Sequence, residues 1–105
     1  NDDDTVWMMP KGGTGVISVA SNVAPEKMVK FIRALQGGYT EKAYKLNEEL
    51  TPLFTNCFVE SNPIPAKAAL HAMGLIENEF RLPLVPAQQS TYDLMVKTIK
   101  DLGLL

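Results

Sequence analysis

The feature of this sequence that most limits its fold is one short apolar run, Val16-Ile17-Ser18-Val19-Ala20. Such runs, rich in β-branched residues, are typical of a buried strand in a parallel sheet that is covered on both faces. A strand satisfies its backbone groups by pairing with neighbouring strands. No second run of this kind occurs in the 105 residues. We therefore expect a buried strand at 16–20 whose partners lie outside this chain.

The rest of the sequence has helical patterns. Apolar residues recur at steps of three and four in several segments, and Pro or Gly residues separate those segments. Asn62 and Ser90 are expected to be N-caps of two of the helices. The patterns predict a short helix over 3–9 and longer ones over 25–36, 40–58, 62–73 and 90–102. A single strand among helices indicates the α/β class, with most of this chain helical.

Composition places the chain among ordinary globular proteins and excludes several functions. Hydrophobic residues make up 46% and charged residues 21%, and the net charge is −2. No basic block is present to bind nucleic acid, and no apolar run reaches the roughly 20 residues that cross a bilayer. Cys57 is the single cysteine and His71 the single histidine, so neither an internal disulfide nor a structural metal site is expected. A reducing, cytoplasmic setting fits best.

The beginning of the chain is unusual. It reads Asn1-Asp2-Asp3-Asp4, without an initiator methionine, a positively charged region or an apolar signal segment. We interpret it as a cut end and expect the chain to be the back part of a longer protein.

Two motifs resemble one enzyme family. GVISVASNVAP at 15–25 and FVESNPIP at 58–65 resemble the dihydrodipicolinate synthase family, and RLPLVP at 81–86 and the final DLGLL also fit. The resemblance covers essentially the whole chain, but only about the C-terminal third of the family protein. It implies the end of a (β/α)8 barrel, with the last strand and its flanking helices at 1–36, followed by a C-terminal helical subdomain at 37–105.

The resemblance also implies an activity. The family condenses pyruvate with aspartate semialdehyde to 4-hydroxy-tetrahydrodipicolinate on the diaminopimelate route to lysine, in the cytoplasm, and commonly as a tetramer. Pyruvate is held as a Schiff base on a lysine of the sixth strand, without a separate cofactor or metal. That lysine lies upstream of this chain, and none of the eight lysines here falls on the predicted strand. This chain is therefore expected to contain no catalytic residue, and to be inactive without the N-terminal part of the barrel.

Four residues are expected near the substrates. Barrel active sites lie at the C-terminal ends of the strands. By resemblance, the backbone carbonyl of Ile17 faces pyruvate and Ser18 lies near the second substrate. Asp2 and Asp3 match positions that contact the aldehyde-bearing substrate in the superfamily, although negative charge near a helix N-terminus is also favourable in itself. Asn1 departs from the commoner aspartate.

Other readings of the sequence lead elsewhere. A different pyruvate-dependent aldolase, such as N-acetylneuraminate lyase or a keto-deoxy sugar aldolase, would share the same motifs, since much of the specificity resides in the absent strands. A helical interaction module is a hypothesis of another class, and the run 16–20 argues against it. His71 is expected to be a solvated or packed histidine rather than a general base, and Cys57 a small buried hydrophobic residue rather than a nucleophile.

Overall fold

The computed structural model describes all 105 residues, which form helices joined by irregular segments. The α-helices are α1 (Thr5–Met8), α2 (Pro25–Gln36), α3 (Thr40–Asn56), α4 (Ile64–Ala72) and α5 (Gln89–Asp101). Short 3₁₀ helices occupy Asp2–Asp4, Met9–Lys11 and Ala20–Asn22. The chain is therefore mostly helical, as expected. None of its helices has the length and apolar character that a membrane crossing requires.

Residues 2–11 form one helical stretch, α1 with a 3₁₀ helix at each end. The predicted helix over 3–9 is confirmed in position, although much of the stretch is 3₁₀ rather than α. Gly12 ends it with a φ of 107°, a conformation that glycine adopts without steric cost. At Gly13 a Cβ atom would lie 2.9 Å from the carbonyl oxygen of Met8, so the chain can turn back this closely only at glycine.

The strand predicted at 16–20 is not formed within this chain, and the middle of the segment is not buried. Residues 13–18 have no regular secondary structure, and residues 14–18 take part in no backbone–backbone hydrogen bond. The side chain of Ile17 is 97% exposed. A strand exists only where a second extended segment completes the ladder of hydrogen bonds, and this chain has no β-strand at all. The run is an unpaired connection that leads into the 3₁₀ helix at Ala20–Asn22.

Helices α2 and α3 form the larger part of the core. Helix α2 follows the predicted stripe, with Met28 and Phe31 buried, and it ends before Gly37 as expected. The rings of Phe31 and Phe54 lie 6.2 Å apart across the two helices. Leu50 of α3 is fully buried beside them. Residues before and after position 36 thus share one hydrophobic core in this chain.

Helices α4 and α5 pack on each other and complete the core. Met95, Ile99 and Leu102 form the buried face predicted for the last helix. The two expected N-caps are wrong, because α4 begins two residues after Asn62 and α5 begins one residue before Ser90, and neither helix has a side-chain cap. At the start of α5 the backbone is instead hydrogen-bonded by a side chain that is distant in the sequence. The Glu60 carboxylate accepts the backbone N–H of Gln88, the N-cap residue of α5, at 3.1 Å.

Candidate active-site segment

Residues 17 and 18 lie where the helical stretch at the N-terminus and the unpaired connection come together. An open cavity of about 650 Å³ is bounded by both elements. Asn1 and Ile17 line it, and Phe58 and Asn62 lie on its other side. The residues that the sequence singles out near position 1 and near position 17 are thereby brought to one place.

The carboxylate of Asp2 is the centre of this place. One of its oxygens, Oδ1, accepts a hydrogen bond of 2.5 Å from the hydroxyl of Ser18. The other, Oδ2, accepts the backbone N–H groups of Val19 and Ala20, each at 2.9 Å. The residue is only 3% exposed, so these three donors replace the water that a carboxylate needs. We call this group of three hydrogen bonds the Asp2 clamp.

The hydroxyl of Ser18 is engaged on both sides. It donates to Asp2 and accepts the backbone N–H of Ser21 at 2.9 Å. In turn, the Ser21 hydroxyl donates to the carbonyl oxygen of Ser18 at 3.3 Å. Asn22 donates its side-chain amide to the carbonyl of Val19 at 3.1 Å. The corner that follows Ile17 is therefore held by its own polar side chains.

Asp3 and Ile17 differ from Asp2 in that they are open to solvent. The carboxylate of Asp3 is exposed and accepts no hydrogen bond from the chain, although it neighbours Asp2 directly. The carbonyl of Ile17 likewise accepts no backbone hydrogen bond. Both groups therefore keep acceptor capacity for a ligand or for another part of the protein.

Cys57 lies close to the Asp2 clamp and is chemically inert. Burial raises the pKa of its thiol from 9.0 to about 12, and the negative charge of Asp2 adds to the effect. The residue is 1% exposed. Because the thiolate is the nucleophilic form, a thiol with this pKa cannot act as a nucleophile near neutral pH. The expectation of a small buried structural residue is confirmed.

His71 is also structural. Its Nδ1 atom lies 2.7 Å from the hydroxyl of Tyr92, and the two rings meet edge to face with centroids 5.8 Å apart. The pair joins α4 to α5, so of the two alternatives, a solvated or a packed histidine, the structure has the packed one. All eight lysines lie in helical segments, and no three His, Cys, Asp or Glu side chains come together in a way that would hold a metal ion.

Comparison with known proteins decides the family. The model of the dihydrodipicolinate synthetase family matches residues 1–102. The chain belongs to this family. A 4-hydroxy-tetrahydrodipicolinate synthase of Thermotoga sp. strain RQ2 is 51% identical over 105 residues, which are all of this chain and 36% of that protein.

Solved structures of the family give the same result. The crystal structure of dihydrodipicolinate synthase from Thermotoga maritima matches with a TM-score of 0.97 and 51% identity, over 100% of this chain and 36% of that one. A structure described as the first monomeric dihydrodipicolinate synthase variant also has a TM-score of 0.97 and 51% identity, over 100% and 35% of the two chains. The chain thus spans about a third of the length of the relatives that it matches, and it folds as the corresponding part of them does.

The Asp2 clamp is the feature of this segment that sequence reasoning missed. Asp2 was singled out as a substrate contact and as a charge near a helix N-terminus, but its bonds to the backbone of Val19 and Ala20 were not anticipated. The first of these bonds spans 17 positions of sequence and the second spans 18. No local pattern reports a contact between a side chain and backbone groups at that distance along the chain. The one signal in the sequence is that Asp2 is an acidic residue in a helical segment that has a buried face, so its carboxylate needs hydrogen-bond donors from elsewhere in the chain.

Proposed function

We propose that this chain is the C-terminal part of a 4-hydroxy-tetrahydrodipicolinate synthase, a lyase that condenses pyruvate with aspartate semialdehyde. The observation that carries the proposal is the family match over residues 1–102, together with a TM-score of 0.97 across the whole chain. In this proposal residues 1–36 are the end of the barrel and residues 37–105 are a C-terminal helical subdomain. The complete protein is a cytoplasmic enzyme of lysine biosynthesis and assembles as a homotetramer.

The unpaired connection supports the assignment to the end of a barrel. Residues 14–18 make no backbone–backbone hydrogen bond, and Ile17 points its side chain into solvent. Barrel strands need neighbours on both edges. The missing N-terminal part supplies those neighbours, and the segment then becomes the eighth strand.

The chemistry in the proposal begins outside this chain. A lysine amine of the N-terminal part adds to the carbonyl carbon of pyruvate and expels its oxygen as water, which forms the Schiff base. This chain contributes two segments that lie near the bound substrates: the carbonyl of Ile17 faces pyruvate, with Ser18 and Asp2 beside it, and the exposed Asp3 faces the aldehyde substrate. We expect the chain alone to be inactive, because in this proposal the Schiff-base lysine belongs to the N-terminal part of the complete protein.

A fusion protein tests the proposal. The N-terminal part of the Thermotoga maritima synthase is joined to Asn1 of this chain, and the pyruvate-dependent consumption of aspartate semialdehyde is measured. Borohydride is then added in the presence of pyruvate, and the trapped adduct is located by mass spectrometry. We expect turnover by the fusion, an adduct on an N-terminal lysine, and neither result with the 105 residues or the N-terminal part alone. An inactive but folded fusion, or an adduct on a lysine of this chain, would contradict the proposal.

A further inference from the structure

We propose that Asp2 is a positioning residue, which orients the carbonyl group of Ile17 through the Asp2 clamp. The inference rests on the proposed function, in which that carbonyl faces pyruvate. It assigns the carboxylate of Asp2 to the backbone of the protein rather than to the aldehyde substrate.

The carbonyl of Ile17 needs an external support. Its segment has no backbone–backbone hydrogen bonds, and its side chain is not packed against the core. The peptide unit is planar, so the C=O of Ile17 and the N–H of Ser18 turn together. Bonds that fix the Cα and side chain of Ser18 hold one end of this peptide unit, and so they restrict where the carbonyl of Ile17 points.

The Asp2 clamp holds Ser18 and the two residues after it. It uses both oxygens of one ionisable carboxylate and three donors, namely one hydroxyl and two backbone N–H groups. Hydrogen bonds to a charged acceptor are roughly twice as strong as neutral ones. Two of the three hydrogen bonds are 2.9 Å long and share the oxygen Oδ2. The backbone at 18–20 therefore has little freedom to rotate.

Asp2 is itself held by the helical body. It lies in the first 3₁₀ helix, and the next helix, α1, buries Thr5 and Val6. The hydroxyl of Thr5 donates to the carbonyl of Asn1 at 3.1 Å, which fixes the residue before Asp2. The negative charge of Asp2 also contributes to the raised pKa of Cys57, the residue that follows α3, so Asp2 lies near the end of that helix. The clamp thus transmits the position of packed helices to an otherwise unsupported connection.

The accessibility of the two aspartates separates their roles. Asp2 is 3% exposed and its carboxylate is occupied by three donors. The neighbouring Asp3 is exposed and has no hydrogen bond from the chain. Asp3 is therefore the carboxylate that remains free for a second substrate.

The experiment measures both Michaelis constants in the fusion protein described above. Asp2→Asn keeps the size of the side chain but replaces one acceptor oxygen by a donor, so the three donors cannot all be accepted. We expect the KM for pyruvate to rise about tenfold, because small errors in the position of a binding group are costly, while the KM for aspartate semialdehyde stays within about twofold. Asp4→Asn is the matched control, since Asp4 is exposed and its side chain makes no hydrogen bond. It should leave both constants within about twofold.

A milder variant keeps the test informative if Asp2→Asn does not fold. Ser18→Ala removes one of the three bonds and leaves the two backbone bonds in place. We expect a rise of about threefold in the KM for pyruvate alone. A rise confined to the KM for aspartate semialdehyde in either variant would overturn the inference in favour of direct contact. If both Michaelis constants of the Asp2→Asn fusion equalled those of Asp4→Asn, the carboxylate of Asp2 would be purely structural and the inference would fail. An inactive fusion without any substitution would instead contradict the proposed function.

Discussion

The Nδ1 atom of His71 and the hydroxyl oxygen of Tyr92 lie 2.7 Å apart, and they form the polar link between α4 and α5. Both side chains are half-buried, so the hydrogen bond is partly shielded from water. If one partner is removed, the polar atom of the other loses its hydrogen bond, and no other group of the chain is placed to restore it.

Tyr92→Phe tests this link. The variant keeps the ring and its edge contact with His71 but loses the hydroxyl. We expect the free energy of unfolding to fall by about 1 kcal/mol, measured by urea unfolding of the 105-residue chain. Tyr39→Phe is the control, because the Tyr39 ring is exposed and its hydroxyl makes no hydrogen bond. Equal effects of the two variants would mean that the link contributes nothing to stability.

Leu50→Ala tests the core between α2 and α3. Leu50 is fully buried beside the Phe31–Phe54 pair, so its truncation removes apolar burial and leaves a cavity. The free energy of unfolding should fall by about 2–5 kcal/mol in urea titrations. Leu75→Ala makes the same chemical change at a side chain that is 63% exposed, and it should cost less than about 0.5 kcal/mol. A small loss at Leu50 would be incompatible with this packing.

Cys57 makes stability depend on pH in the alkaline range. Its pKa in the folded chain is about 12, against 9.0 as the ordinary value, so the unfolded chain releases the thiol proton first as the pH rises. The stability that this thiol contributes is complete below pH 9 and is lost progressively above it. We expect a loss of about 1 kcal/mol between pH 9 and pH 10 in urea unfolding, and a smaller loss in Cys57→Ala. An unchanged pH dependence in that variant would exclude the thiol as the cause.

Amide hydrogen exchange tests the pairing proposed for the connection. In the chain alone the N–H groups of Val16 and Ile17 have no backbone partner, and they should exchange within seconds. In the fusion protein we expect exchange slower by at least about 100-fold, because neighbouring strands bind these groups. The amides of Leu50 and Leu53 inside α3 are the control and should be protected in both proteins. Fast exchange at Val16 in an active fusion would contradict the strand assignment.

The helices were predictable because their signals are local. The stripe through Met28 and Phe31, the stop at Gly37 and the buried face of α5 all follow from spacing within one segment. The expected caps of α4 and α5 were mispredicted, and at the start of α5 the hydrogen bond to Gln88 comes from Glu60, 28 residues away. The strand expected at 16–20 depends on contacts that are not local at all: β-branched residues favour a strand, but only partners create one, and this chain provides none.

The candidate site was predictable in part. Motif resemblance singled out residues 2, 3, 17 and 18, and the fold brings the first helical stretch to the connection that contains Ile17. Resemblance assigned Asp2 and Asp3 one shared role, whereas burial separates them, with Asp2 enclosed and Asp3 exposed. Burial of a carboxylate depends on tertiary structure, so adjacent identical letters in the sequence could not distinguish the two.

The Asp2 clamp spans only 16 to 18 residues of sequence. Closing a loop of that length costs little conformational entropy, and a short helical stretch forms in about a microsecond or less. Once α1 is packed against the core, this corner can therefore form without waiting for distant strands to close a barrel. Its loss should be felt first as slower assembly, with the apolar segment after Gly13 exposed to other chains for longer.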